Sequence, residues 1–139
     1  MLVKSVFMSV ILAAVALLGR SEAEAGEMFI VEGGRARAAV VTAESPRPAA
    51  EYASKELVEH IRRATGVTLP VVTEGEDTEN YATRIFVGET QAAREQGILA
   101  EELGPDVFVL RTVNGDVYVL GREKEDTDPL HPHSLSYNV

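Results

Sequence analysis

The sequence predicts an α+β domain: a mixed sheet with two helices on one face and a C-terminal β-hairpin. Three observations carry that expectation. A long amphipathic stretch lies between short β-branched runs, a second short helical stretch follows an apolar run, and Asn114-Gly115 sits between two strand-like runs. A crossover helix brings its flanking strands into parallel register and a hairpin adds an antiparallel pair, so the sheet is mixed.

The domain begins after an export signal. Lys4 precedes an apolar run over residues 6–18, and Ala23-Glu24-Ala25 fits the small-x-small cleavage pattern. Residues 1–25 therefore read as a secretory signal peptide, because the run is shorter than the roughly 20 residues a membrane-spanning helix needs. The expected location is periplasmic or extracellular, with no membrane association after cleavage. Residues 26–122 form the expected α+β domain, and residues 123–139 begin as a charged loop.

The chain has a formal charge of -9 and no cysteine. Cleavage after Ala25 removes Lys4 and Arg20 together with Glu22 and Glu24, so the acidity stays with the domain. That charge argues against nucleic acid and anionic membrane surfaces as partners. Without cysteine, neither a disulfide framework nor a thiolate metal site can form, and the fold must live on its core.

Along the domain, residues 29–31 read as a strand, Glu32-Gly33-Gly34 as a turn, and residues 38–41 as a second strand. Pro48 suits the first turn of a helix, where its missing N–H is no loss. Over residues 49–65 the apolar positions Ala50, Ala53, Leu57, Ile61 and Ala64 recur at helical spacing, opposite Glu51, Lys55, Glu56, Glu59, Arg62 and Arg63. Gly66 can supply a left-handed cap.

Residues 67–73 read as a short strand with Pro70 placing it at an edge or at a strand start. Residues 74–83 are polar and read as a solvated loop. Residues 84–88 read as a buried strand, and 89–96 as a short helix closed by Gly97. Residues 107–112 and 116–120 then flank Asn114-Gly115, whose tolerance of positive φ is the strongest local hairpin signal. After Gly121 the chain turns charged, then apolar again at residues 134–139, where it reads as interrupted.

Candidate chemistry is sparse. His131 and His133, with Asp126 and Asp128 nearby, have metal-ligand side chains, but Pro132 between the histidines restricts their approach. His60 lacks the second histidine of a helical zinc motif, since position 64 is Ala64. Glu101-Glu102 are adjacent and point apart, unlike the acid pair of a glycosidase, which faces across a cleft. No serine sits in a Gly-x-Ser-x-Gly elbow, and Gly33, Gly34 and Gly88 are too isolated to cradle a phosphate. No catalytic residue, metal site or cofactor is assigned.

Aromatic residues can stack on sugars, yet residues 26–139 contain no tryptophan. Phe29, Phe86 and Phe108 lie in strands and are expected in the core. Tyr52 and Tyr81 are the expected exposed rings, beside Tyr118 and Tyr137.

The order of elements resembles a known family. Residues 49–57, the helix end and strand over 61–71, the strand 84–90 and residues 103–110 before the hairpin together resemble the N-terminal domain of bacterial α-glucuronidases. The same pattern is similar to the non-catalytic domain preceding the barrel of β-N-acetylhexosaminidases. The likeness covers roughly residues 29–121.

The resemblance implies a zincin-like, hexosaminidase domain-2-like shape without the metal. It implies packing against a following (β/α)8 barrel that carries the catalytic carboxylates, in an enzyme of carbohydrate and polysaccharide degradation. Residues 134–139 then match the first turn of the family's third helix. The family's catalytic residues have no counterparts in this sequence, so none is carried over.

The expectation is therefore a secreted, non-catalytic accessory domain, present as a fragment, whose partner is a missing C-terminal catalytic barrel. Loss of the third helix would leave apolar sheet surface exposed. The alternatives are a self-contained exported carbohydrate-binding module using the Tyr52 to Tyr81 region or the loop after Gly121, and a metal-dependent hydrolase using His131 and His133.

Overall fold

The computed structural model describes residues 28–105 and 107–122. The expected export signal, His131, His133, Asp126, Asp128, Tyr137 and the expected start of a third helix all lie outside the described residues. Within them the α+β class holds, with a mixed sheet and two helices.

A small hairpin opens the domain, β1 (Val31–Glu32) and β2 (Arg35–Ala36), turning through Gly33 and Gly34, which both adopt positive φ. β3 (Ala38–Thr42) follows and is buried along its whole length. That strand is central, so its small β-branched and alanine side chains are covered on both faces.

Helix α1 (Pro48–Thr65) starts with Pro48 in its first turn and ends on Gly66 at φ 75°, whose N–H reaches the Arg62 carbonyl. The buried stripe is not the one expected from the alanines. Ala53 and Ala64 are exposed, and Ala50, Ser54, Leu57, Val58 and Ile61 face the sheet. Ser54 takes a buried position because its hydroxyl donates to the Ala50 carbonyl at 2.8 Å, so it enters the core already satisfied.

The exposed face of α1 is laced with ion pairs, Lys55 to Glu51 at 2.6 Å and Glu59 to both Arg62 and Arg63 at 2.7 and 2.8 Å. The guanidinium of Arg62, then that of Arg63, hold the Glu59 carboxyl down to about 2, against an ordinary 4.5. A depressed folded-state pKa stabilises above the ordinary value and is lost as pH falls through the lowered one. Carbon-detected titration is expected to show the last turn of α1 loosening as pH drops from about 4.5 to about 2. A Glu59 midpoint at its ordinary value would contradict the pairing.

β4 (Val71–Thr73) enters directly after Pro70 and is an edge strand, as the proline indicates. β5 (Thr83–Val87), α2 (Gln91–Glu95), a 3-10 turn over Ala100–Glu102, β6 (Phe108–Val113) and β7 (Asp116–Gly121) complete the domain. Asn114 and Gly115 adopt φ 51° and 87°, the pair of positive values that a two-residue I′ hairpin turn requires.

The five-stranded sheet has the order β4-β3-β5-β7-β6. β4, β3, β5 and β7 run parallel, and β6 pairs antiparallel with β7.

The two helices do not share a face, which corrects the one-faced arrangement expected from sequence. α1 packs through Leu57, Val58 and Ile61 on Val40, Ile85 and Val87, whereas α2 packs through Ala93 on Val41, Phe86, Tyr118 and Leu120. The cause is topological. The β3-α1-β4 crossover moves outward on one side of β3, and the passage from β5 through α2 to β7 moves the other way. Parallel crossovers are right-handed almost without exception, so opposite directions put their helices on opposite faces.

Two polar devices lock this arrangement. Asp116 is buried at the start of β7, where it accepts from the Arg84 backbone N–H at 2.9 Å and from Arg84 Nε at 3.0 Å, with Nη2 also bonded. Above that pair, Phe86 stacks on Tyr118 with centroids 5.0 Å apart.

The second device is Glu74, in the loop read as solvated. Its carboxylate accepts from the backbone N–H groups of Gln91 and Ala92 at 2.8 and 2.9 Å, while Thr90 Oγ1 accepts from Ala93 N–H at 3.1 Å. A long-range acid thus caps a five-residue helix too short to hold itself. Glu74→Ala is expected to cost about 1 kcal/mol, the usual worth of an N-terminal cap. Amide exchange at Ala92 and Ala93 should rise with it, and unchanged exchange there would contradict the capping role.

Candidate functional site

Parallel sheets place ligand sites where the winding direction reverses, outside the carboxyl ends of the strands. That point lies here between β3 and β5, and a cleft of about 210 Å3 opens there. Ser45 and Arg47 from the β3–α1 connection, Ala50 of α1, Glu89 after β5 and Arg94 of α2 line it.

The chemistry of the cleft is self-contained. Glu89 accepts from Arg94 Nη2 at 3.0 Å and sits 3.4 Å from Arg47 Nε, and Arg94 Nη1 is 3.5 Å from Glu101. Two guanidiniums and two carboxylates therefore satisfy one another in a chain joining the start of α1 to α2. Arginine keeps its proton in proteins, so neither cation can serve as a general acid or base. The volume also falls below the roughly 300 Å3 at which ligand pockets begin. The cleft is a clasp between the two helices.

The floor of the clasp explains a residue the sequence leaves looking isolated. Gly88 has φ 84°, and a Cβ there would lie 2.6 Å from the Ala50 Cβ. Glycine is required so that α1 can start against the end of β5. The signal was the Val87-Gly88 junction itself, but its partner, thirty-eight positions earlier, is set only by the fold.

The other candidates are dispersed. His60 is exposed on α1, with Nδ1 2.8 Å from the Glu56 carbonyl. Glu101 and Glu102 are exposed in the 3-10 turn, where Glu101 meets Arg94. Among the described residues no group of three histidine, cysteine, aspartate or glutamate side chains could hold a metal ion. Tyr52 lies near the start of α1, at the end of the sheet where the parallel strands finish. Tyr81 lies two residues before β5, at the other end, and is half-buried, which corrects its expected exposure. The two rings do not form one sugar platform.

The unusual surface is β6. Phe108 and Leu110 are 74% and 66% exposed, which corrects the expectation that all three strand phenylalanines are core. Phe86 is core, whereas Phe29 is partly exposed. Phe108 and Leu110 pair with Gly121 and Val119 of β7, so by strand alternation they stand on the face that α1 covers. α1 packs over β3 and β5 and stops short of them.

Val107, just before β6, is exposed as well, and β6 itself offers two neighbouring large apolar side chains on one face, Phe108 and Leu110. Contiguous apolar surface of this kind marks an interaction site, whereas single exposed apolar residues need no explanation. Among the described residues no helix is long and apolar enough to cross a membrane. Comparison with family models, curated proteins and solved structures finds no match to the chain.

Proposed function

We propose that this domain is the non-catalytic N-terminal part of an exported, carbohydrate-degrading glycoside hydrolase of the α-glucuronidase-like kind. In this reading it packs against a catalytic (β/α)8 barrel of the same protein. The order strand, crossover helix, edge strand, central strand, short helix and hairpin supports the hexosaminidase domain-2-like assignment, although α2 lies on the face opposite α1.

The observation that carries the proposal is the uncovered apolar surface of Phe108 and Leu110 beside α1. A self-sufficient domain would be expected to cover such a face or to replace it with polar side chains. The place where a covering element belongs is the α1 side of β6 and β7. The function assigned to these residues is structural: they present a surface to the element that performs the chemistry.

The test is turnover. Purified chain is expected to leave aryl glycosides and glucuronosyl-xylooligosaccharides intact, because Glu89 is the one carboxylate lining the cleft and is held by Arg94 and Arg47, whereas glycoside hydrolysis needs a pair facing across the substrate. Hydrolysis of either substrate class that survives repurification would contradict it. Saturable heat on titration with a glycan panel would instead favour the carbohydrate-binding module.

A further inference from the structure

The backbone edge of β6 is a second feature, separate from the face its side chains occupy. A sheet has two edges, and natural proteins blunt them with short strands, prolines, charges or bulges. The β4 edge is blunted. It is three residues long, preceded by Pro70, and the Thr73 N–H is already taken by the Glu76 carboxylate.

The β6 edge carries only one of these devices, a single charge. Its six residues pair with β7 in unbroken register from Phe108 to Val113, without proline or bulge, and Arg111 is its one ionisable side chain.

The direction of the backbone groups that β6 leaves unpaired among the described residues follows from β7. The Val119 carbonyl accepts from the Gly88 N–H at 2.9 Å, so Val119 turns its polar backbone toward β5. Leu110, the cross-strand partner of Val119, therefore turns its own N–H and C=O away from β7. Period-two alternation extends this to Phe108. The outward backbone groups belong to the same residues whose side chains are most exposed.

We propose that β6 pairs antiparallel with β6 of a second copy of this chain, about a two-fold axis at Val109. Phe108 of each copy then stands opposite Leu110 of the other. This register joins outward backbone groups to outward backbone groups and keeps the apolar side chains on one face, as a two-fold pairing of like faces requires. It joins two five-stranded sheets into one.

A second copy fits the strand on charge. Arg111 falls opposite Val107 of the other copy, so no like charges meet within the strands despite the -9 carried by each chain. The contact is one strand wide, below the roughly 1,200 Å2 of stable complexes, and so forms a weak dimer that dissociates on dilution. Because both copies are acidic overall, added salt screens their repulsion and strengthens the dimer.

The inference goes beyond the accessory-domain proposal, and the turnover result is independent of it. The test is amide exchange on the full chain, read residue by residue from about 10 µM to about 1 mM, the range of transient contacts, beside sedimentation mass.

Exchange at Phe108 and Leu110 is expected to slow by roughly fourfold across that range, as a dimer with a Kd near about 100 µM requires, with Val109 and Arg111 unchanged and mass rising toward twice the monomer. Leu110→Lys, at an exposed site, should abolish the concentration dependence while leaving the remaining spectrum intact. Exchange at Phe108 and Leu110 that ignores concentration overturns the proposal, whatever the mass does. So does undiminished protection in Leu110→Lys.

Discussion

Gly88→Ala is expected to destabilise the domain by about 3 kcal/mol, from the left-handed backbone penalty together with overpacking at a close contact. The penalty arises because Gly88 holds φ 84°, and the overpacking because the new methyl would lie 2.6 Å from the Ala50 Cβ. Ala50 sits in the first turn of α1, so relief requires that helix to lift from the end of β5 and loosen the Arg47–Glu89–Arg94 clasp. In a domain of this size the melting midpoint should fall by on the order of 10–20 °C.

Gly66→Ala supplies the control. Gly66 also has positive φ, at 75°, but nothing lies within 4 Å of its would-be Cβ. Its cost should be the backbone term alone, about 1 kcal/mol. Equal melting shifts for the two variants would show that the Gly88 contact carries no energy.

Asp116→Ala is the second large effect, at about 2–3 kcal/mol. Its carboxylate is buried and receives three bonds from Arg84, one of them from the backbone N–H. Truncation strands that N–H at the start of β5, and an orphaned buried donor costs more than the lost bond is worth. The guanidinium is nearly half exposed and can turn to water, which keeps the loss below that of a fully buried pair.

Asp116→Asn retains an acceptor for the Arg84 N–H and should lose roughly half as much. Urea melts of the two variants check this. A full-size loss in Asp116→Asn would put the energy in the ion pair and not in the backbone bond.

Much of the fold is legible in the residues because the signals are local. Pro48 and Gly66 fix the ends of α1, Asn114-Gly115 fixes the hairpin, and Pro70 marks β4 as an edge. What fails is what depends on distant residues. Ser54 replaces Ala53 in the buried stripe because its hydroxyl is satisfied within the helix. Glu74 reads as loop because its targets, the Gln91 and Ala92 N–H groups, are far along the chain.

The helices reach opposite faces because handedness couples face to strand order, and strand order is not written in periodicity. The candidate surface is hidden for the same reason. Phe108 reads as a core side chain of a hairpin strand, and only the order β5-β7-β6 reveals that strand as the outermost one. Two strand-like runs joined by a hairpin do not say which of them is outside.

The most direct measurement is the stability and spectrum of the double variant Phe108→Ser, Leu110→Ser in dilute protein, where self-pairing is absent. If these side chains serve a surface and not the domain's own core, the melting midpoint should stay within the change of about 0.5 kcal/mol typical of surface sites. Amide shifts outside β6 and β7 should remain in place. A loss of more than about 2 kcal/mol, the scale of a core truncation, would place Phe108 and Leu110 inside the fold and remove the surface on which the proposed role depends.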